Sequence, residues 1–351
     1  MQNGPIAVVC GARPNFMKVA PLCHEFEKRG IAFRLMNTGQ HYDESMSESF
    51  FRSFKITPDV TLAPSRETTV KQFADIMIGL ESAWISERPS LVMVVGDVNS
   101  TLAAALVANK MKIRLAHVEA GLRSFNREMP EERNRVLTDR IADLLFVTMD
   151  EGIKHLKEEG ITNGVYLVGN LMIDTLAMFA AEAKTTDEEF YFCTLHRAEN
   201  IDFGDRFKEI LDALEQISED AVIYLPLHPR TKKMAETFGF MPRLEKIFKL
   251  LPPLGYAESV YYQKNAKLVL TDSGGVQEET SYLGVPCLTL RTETERPVTV
   301  TLGTNTMAGV KKVSIIAAYH AKDLTHKKIS IPYWDGQAAK RITEILVNET
   351  L

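Results

Sequence analysis

The sequence predicts an α/β protein of two doubly wound, Rossmann-like parallel-sheet domains facing each other across a cleft. Three observations carry this. Short Val/Ile/Leu-rich runs alternate with longer amphipathic segments, the pattern of parallel strands covered on both faces by helices. The pattern runs through the first half and restarts at FYFCTLH. The 351 residues suffice for two cores of ordinary size.

The elements follow in order. IAVVCG (6–11) is a strand, with a helix beginning near Asn15. FRLMNTG is the second strand, followed by a helix through DESMSESFFRSF. A long helix runs from Val70 to Glu87 and stops before Pro89. LVMVVGD (91–97) leads into the helix STLAAALVANKM, with Asn99 or Ser100 as its N-cap. RLAHVEAG is the next strand, and PEERNRVLTDRIA a helix with Pro130 in its first turn. LLFVTM and VYLVGN complete the first half. FYFCTLH, AVIYLPLH, KLVLTDSGG, PCLTL and TMAGV are the strands of the second. The stretch 174–188 is a helical, acidic connection, and AAKRITEILVNE a closing amphipathic helix.

Composition narrows the function. A hydrophobic fraction of 45% and a charged fraction of 25% are those of a soluble globular protein. A net charge of -5 argues against a general nucleic-acid binder, while leaving room for a basic pocket for a small anion. The apolar runs are strand-sized, so no membrane span is expected. The N-terminus enters a strand directly, so no secretory leader is expected. Cys10, Cys23, Cys193 and Cys287 are far apart and lack metal-ligand spacing, which predicts buried, reduced thiols in a cytoplasmic protein.

In open parallel sheets, ligands bind beyond the carboxyl ends of the strands. Arg13, Lys18, Gln40, His41, Asp97 and Glu119 stand there in the first half. His196, Arg197, His228, Arg230, Ser273, Gly274, Gly275, Arg291 and Arg296 stand there in the second. Singly, each has a plain structural account. Asp97 can cap a helix. Glu119 can pair with Arg13 or Arg123, and Glu131 with Arg135 as an i,i+4 surface pair. Lys18 can be solvated, and the histidines can be core residues. All these accounts would have to hold together at one edge of two sheets.

TDSGGVQEE is the most informative stretch. A strand runs through Ser273–Gly274–Gly275 into a helix, whose N-terminus suits a phosphate. Glu279, about one and a half turns on, suits two ribose hydroxyls. No G-x-G-x-x-G or D-x-D motif is present. Arg13, Lys18, Arg291 and Arg296 are the candidate cations for a diphosphate. Asp97, Glu119 and Glu131 form a carboxylate cluster. Mutual repulsion is expected to raise at least one of their pKa values, which suits proton transfer.

The chain resembles the non-hydrolysing UDP-N-acetylglucosamine 2-epimerases over nearly its whole length. The resemblance is carried by GARPNFMKVAPL, NTGQHYDESM, VVGDVNSTLAAALVA, HVEAGLRS, PEERNRVLTDRIADLLFV, VGNLMIDTL, TLHRAEN, LPLHPRT, LTDSGGVQEE, ERPVTVTLGTNTMAG and GQAAKRI. It implies a glycosyltransferase-B fold whose last helix returns to the N-terminal domain. The domains are then 1–170 with 336–351 on the sugar side, and 171–335 on the UDP side. It implies interconversion of UDP-GlcNAc and UDP-ManNAc by loss of UDP to 2-acetamidoglucal and its re-addition. No cofactor is implied, neither metal nor nicotinamide.

By motif, Asp97, Glu119, Glu131 and His196 resemble the catalytic groups. Arg13, Lys18, Arg135, Ser259, Ser273, Gly274, Gly275, Glu279 and Arg296 resemble the substrate-binding ones, with uracil held between Leu254 and Ser259. The division of proton transfers among the carboxylates stays open. A homodimer is expected. GARPN stands where many members have GTRPE, and Ser259 where a bulkier residue is common. Asp43 replaces a glutamine of members activated by their own substrate. Val298 follows ERP where an acid is frequent, which leaves open a related substrate such as a UDP-diacetamido-uronate. A glycosyltransferase or a UDP-sugar sensor on the same fold are the further alternatives.

Overall fold

The computed structural model describes residues 4–40 and 51–350, apart from the side chains of Arg13, Pro14 and Thr350. The chain divides into two compact units, Met1–Thr175 with Tyr333–Leu351, and Leu176–Pro332.

Unit 1 holds a seven-stranded sheet: β1 (Ile6–Cys10), β2 (Phe33–Asn37), β3 (Val60–Thr61), β4 (Leu91–Val95), β5 (Arg114–Ala120), β6 (Leu144–Val147) and β7 (Val165–Leu167). Their order is β3-β2-β1-β4-β5-β6-β7, and every pairing is parallel. The order reverses between β1 and β4, so the loops after these two strands flank the crevice such sheets use for ligands. β4, Leu-Val-Met-Val-Val, is buried at every position, as a central strand covered on both sides must be.

Unit 2 repeats the plan with six strands: β8 (Tyr191–Thr194), β9 (Ile223–Pro226), β10 (Phe248–Leu251), β11 (Leu268–Thr271), β12 (Cys287–Thr289) and β13 (Asn305–Met307). The order is β10-β9-β8-β11-β12-β13, again parallel, with its reversal between β8 and β11. Two parallel sheets with helices between the strands are the predicted fold class.

Several local expectations change. β10 is absent from the strands the sequence predicts, because Lys249 interrupts its apolar run at the sheet edge. The acidic connection is helical only over Leu171–Glu182. The helix after β4, Asn99–Lys110, is preceded by Val98, not capped by Asn99 or Ser100. Gln40 supplies the missing acceptor instead, its Oε1 taking the Ser100 N–H at 2.9 Å. The helix expected over DESMSESFFRSF lies outside the described residues except for its last few positions, as do His41 and Asp43.

The closing helix, Ala338–Thr350, belongs to unit 1. Asp174 accepts the amides of Ala338 at 3.0 Å and Ala339 at 2.7 Å, holding the start of that helix. Burial pushes this carboxyl up to about 6 against those two bonds. All four cysteines are buried and unpaired, and burial raises their thiols, Cys287 to about 11. Among the described residues, no helix is long and apolar enough to cross a membrane.

Candidate active site

In unit 1 the site begins where β1 ends. A Cβ on Gly11 would lie 2.1 Å from Thr38 Oγ1 and 2.2 Å from Ser100 Oγ, so only glycine lets this loop pack there. The helix Arg13–Arg29 follows. Its backbone starts at Arg13, whose side chain lies outside what is described. Asn15 ties the helix to the neighbouring strand, donating to Val95 O at 2.9 Å. One turn on, Lys18 forms an ion pair with Glu119, and both side chains are largely covered.

Glu119 interrupts β5. The register against β6 shifts between Val118 and Ala120, so Glu119 is the extra residue of a bulge. Its φ of +73° is left-handed, a conformation that costs a non-glycine residue about 1–3 kcal/mol and persists only where the surroundings enforce it. Gly96, which follows β4, has a left-handed φ of +69° that favours glycine, and it lies against this pair: a Cβ there would be in ordinary contact, at 3.6 Å, with Glu119 Oε2 and Lys18 Nζ.

Asp97 does not cap a helix. Its carboxylate pairs with Arg135, and Asn134 Nδ2 donates to its backbone oxygen at 2.9 Å. Arg135 also binds Glu132 Oε2 at 2.7 Å and so does not make the expected pair with Glu131. Burial opposes the charge on Glu132. The amides of Ser124 and Phe125, the Ser124 hydroxyl and Arg135 outweigh it and hold that carboxyl below its ordinary range. Glu131 stands half-buried in the first turn of the helix Pro130–Ile141, the helix that supplies Asn134 and Arg135. A bare cluster of repelling carboxylates is therefore not what forms, since Asp97 and Glu119 each have a cation of their own.

In unit 2, His196 and Arg197 follow β8, and Asp272 follows the adjacent β11. The fully buried Asp272 carboxylate accepts the His196 amide at 3.0 Å and the Arg197 amide at 2.9 Å, and lies 3.3 Å from His196 Nδ1. It therefore sets both the backbone and the ring of His196. The His228 ring lies 5.4 Å from that of His196, tilted by 37°, and its Nδ1 accepts the Arg230 amide. Arg230 itself pairs with Asp202 at 3.0 Å.

The helix Gly274–Leu283 opens beside them. Ser273 precedes it, and its hydroxyl makes no capping bond to this helix. Nothing but Arg197 Nη2, at 3.9 Å, and Arg296 Cζ, at 4.0 Å, approaches the position of a Cβ on Gly274. Free amides, a hydroxyl and two guanidinium groups meet there, which is the chemistry of a phosphate site. Arg296 also contacts Glu278 at 3.2 Å. Arg291 differs: it is buried between Glu199, at 3.0 Å, and Glu295, at 2.8 Å, so its charge is already compensated.

Glu279 accepts from Gln263 Nε2 at 2.7 Å, and the same nitrogen reaches Ser259 Oγ at 3.2 Å. Burial pushes the Glu279 carboxyl up to about 7, opposed by bonds from Gln263 and Tyr256 and reinforced by Glu278. A cavity of about 430 Å³ in this unit, with Phe179, Tyr261 and Tyr262 among its walls, holds none of these groups. The sequence gives no sign of the roles of Asp272 and Gln263. Arg197 is visible in TLHRAEN as a residue past a strand, but not as the guanidinium that reaches Gly274.

A family model described as UDP-N-acetylglucosamine 2-epimerase matches residues 24–347. The UDP-N-acetylglucosamine 2-epimerase of Methanocaldococcus jannaschii is 40% identical, covering 97% of this chain and 98% of its own. The UDP-2,3-diacetamido-2,3-dideoxy-D-glucuronate 2-epimerase of Pseudomonas aeruginosa is 39% identical, over 97% of this chain and 99% of its own. A crystal structure of the M. jannaschii enzyme in complex with UDP-GlcNAc and UDP superposes with a TM-score of 0.82 at 38% identity, covering 98% of this chain and 99% of that one.

Proposed function

Since the chain belongs to the UDP-N-acetylglucosamine 2-epimerase family, we propose that it interconverts UDP-GlcNAc and UDP-ManNAc without hydrolysing either. The hydrogen on carbon 2 has no neighbouring carbonyl to acidify it. Departure of UDP from carbon 1 supplies the missing activation, because oxocarbenium character on the ring weakens the adjacent C–H bond. A carboxylate removes that proton as the C1–O bond breaks, leaving 2-acetamidoglucal and UDP. A proton is then delivered to the opposite face of carbon 2, and UDP adds back to carbon 1.

Asp97, Glu119 and Glu131 carry the proton transfers in this reading. The observation that carries it is Glu119: a carboxylate held at a left-handed bulge beyond a parallel strand, where a structural role alone would not require the strain. Ser273, Gly274, Gly275, Arg197 and Arg296 hold the diphosphate, Glu279 the ribose, and the segment 254–259 with Ser259 the uracil. His196, set by Asp272, stands near the departing phosphate. Arg13, Lys18 and Arg135 complete substrate binding. Stabilising charge on the leaving UDP lowers the barrier to its departure.

Incubation with UDP-GlcNAc in deuterated water tests the reading. Deuterium at carbon 2 together with UDP-ManNAc is expected; recovery of unlabelled substrate would end it. One observation favours a second substrate. The P. aeruginosa diacetamido-glucuronate epimerase is nearly as similar as the M. jannaschii enzyme, and Val298 removes an acid that would oppose a uronate. The same assay with that sugar nucleotide decides between them. We also propose a cytoplasmic homodimer serving polysaccharide biosynthesis. Val70, Ile78 and Ile85, 79%, 61% and 73% exposed along the helix Thr69–Ser86, are apolar surface of the kind a second copy covers, and light scattering would count the subunits.

A further inference from the structure

We propose that His117 and Asp139 are positioning residues for the carbon-2 chemistry, pinning the backbone on both sides of Glu119 and immediately before Asp97. The inference rests on the proton-transfer roles given above to those two carboxylates.

His117 is wholly buried in the middle of β5, where a parallel strand ordinarily carries an apolar side chain. Its Nδ1 lies 2.6 Å from Asp139 Oδ1 and its Nε2 lies 2.8 Å from Gly96 O. A carboxylate oxygen faces one ring nitrogen and a backbone carbonyl oxygen the other, so the ring is held from both sides. The bond to Gly96 fixes the residue that joins β4 to Asp97. Asp139 meanwhile accepts the Gly121 amide at 3.0 Å and Arg123 Nη1 at 2.7 Å. One carboxylate thus grips the side chain two residues before Glu119 and the backbone two residues after it. They flank the bulge, one residue beyond Val118 on one side and one beyond Ala120 on the other.

The grip is itself anchored. Asp139 stands on the helix that also carries Glu131, Asn134 and Arg135. Arg123 is tied on its far side to Glu159 at 2.6 Å and 2.8 Å. The segments bearing Asp97, Glu119 and Glu131 therefore share one buried hydrogen-bond network that contains none of the three carboxylates. A histidine kept only for stability would not need to meet the two loops that carry the chemistry.

Three variants of the full chain separate the roles. Asp139→Asn leaves one acceptor oxygen where there were two and takes away the charge, which weakens the grip on the bulge. An asparagine amide stands where Nδ1 was, so His117→Asn keeps the Asp139 bond and frees Gly96; His117→Gln does the reverse. For each, kcat, KM, carbon-2 deuterium exchange, UDP affinity by calorimetry and melting temperature are measured. Asp139→Asn is expected to lower kcat by roughly 10- to 100-fold, with exchange falling in step. KM is expected to stay within about threefold, and UDP affinity to be unchanged. Each His117 variant is expected to show a smaller loss of the same kind. A folded Asp139→Asn protein with parental kcat, or a loss that follows UDP affinity or melting temperature instead, overturns the inference. If Asp139→Asn does not fold, the two His117 variants decide: parental kcat in both overturns it. Absence of exchange in the parent sinks the proposed function first, and this inference with it.

Discussion

Replacing Glu279 with glutamine probes the proposed nucleotide end of the protein through its stability. Burial pushes this carboxyl from 4.5 up to about 7. The folded chain then holds the proton more tightly than the unfolded chain. Stability rises with pH only where the unfolded state binds more protons; between pH 4.5 and 7 it binds fewer, so stability falls across that window. At 1.36 kcal/mol per pH unit the fall is roughly 3 kcal/mol, nearly complete by about pH 8. Glu279→Gln cannot ionise, and every other titration is common to both proteins. Urea unfolding at pH 5 and pH 8, followed by far-ultraviolet circular dichroism, isolates the difference. Trp84 and Trp334 are the only two tryptophans and both belong to unit 1, so fluorescence follows that unit while dichroism follows the whole chain. The variant is expected to gain about 3 kcal/mol on the parent between the two pH values. Parallel pH dependence in the two proteins would refute the reasoning. On the role proposed for Glu279, UDP binding at pH 8, where the carboxyl is ionised, should weaken by about 10-fold, since the amide would offer a ribose one acceptor oxygen where the carboxylate offers two.

Glu119→Gln should fold and bind UDP as the parent does, yet lose about 10²- to 10⁴-fold in kcat and in carbon-2 exchange; retention of substantial exchange would remove it from the chemistry. Arg197→Ala and Arg296→Ala should each weaken UDP binding by about 10- to 100-fold and reduce its salt dependence, read by calorimetry at two ionic strengths. Arg291→Ala should instead leave UDP affinity within about threefold and lower the melting temperature, because Glu199 and Glu295 are left facing each other without their shared cation.

The fold was legible because its strongest signals are local. β4 and β5 are apolar runs bounded by glycine, and Pro130 marks a helix start within its own turn. β10 was not, since an edge strand paired on one side tolerates Lys249 and loses the continuous pattern. The positions beyond the strands were legible from topology, but their partners were not. Lys18 and Glu119 are 101 residues apart in sequence, and Asp97 and Arg135 are 38 apart. Sequence spacing suggests the near neighbour, which is why Arg135 reads as a partner of Glu131. Arg291 reads as a free cation because Glu199, 92 residues earlier, is invisible from it, although Glu295, its other partner, stands only four residues on. Asp272 hides in a turn motif, where an aspartate is common enough to need no comment.

The tie between Asp174 and the amides of Ala338 and Ala339 has a consequence during synthesis. Unit 2 is one unbroken run of chain, whereas unit 1 is assembled from two pieces. At about 5–20 residues per second, the ribosome needs on the order of 10–30 s after Thr175 to deliver the segment that starts at Tyr333. For that interval the half made first is the half still incomplete, with Asp174 waiting for its helix and one side of Arg13–Arg29 uncovered. The later half can reach its native state before the earlier one, an inversion of the usual order, and the nascent chain is most exposed to chaperones and proteases on its N-terminal side.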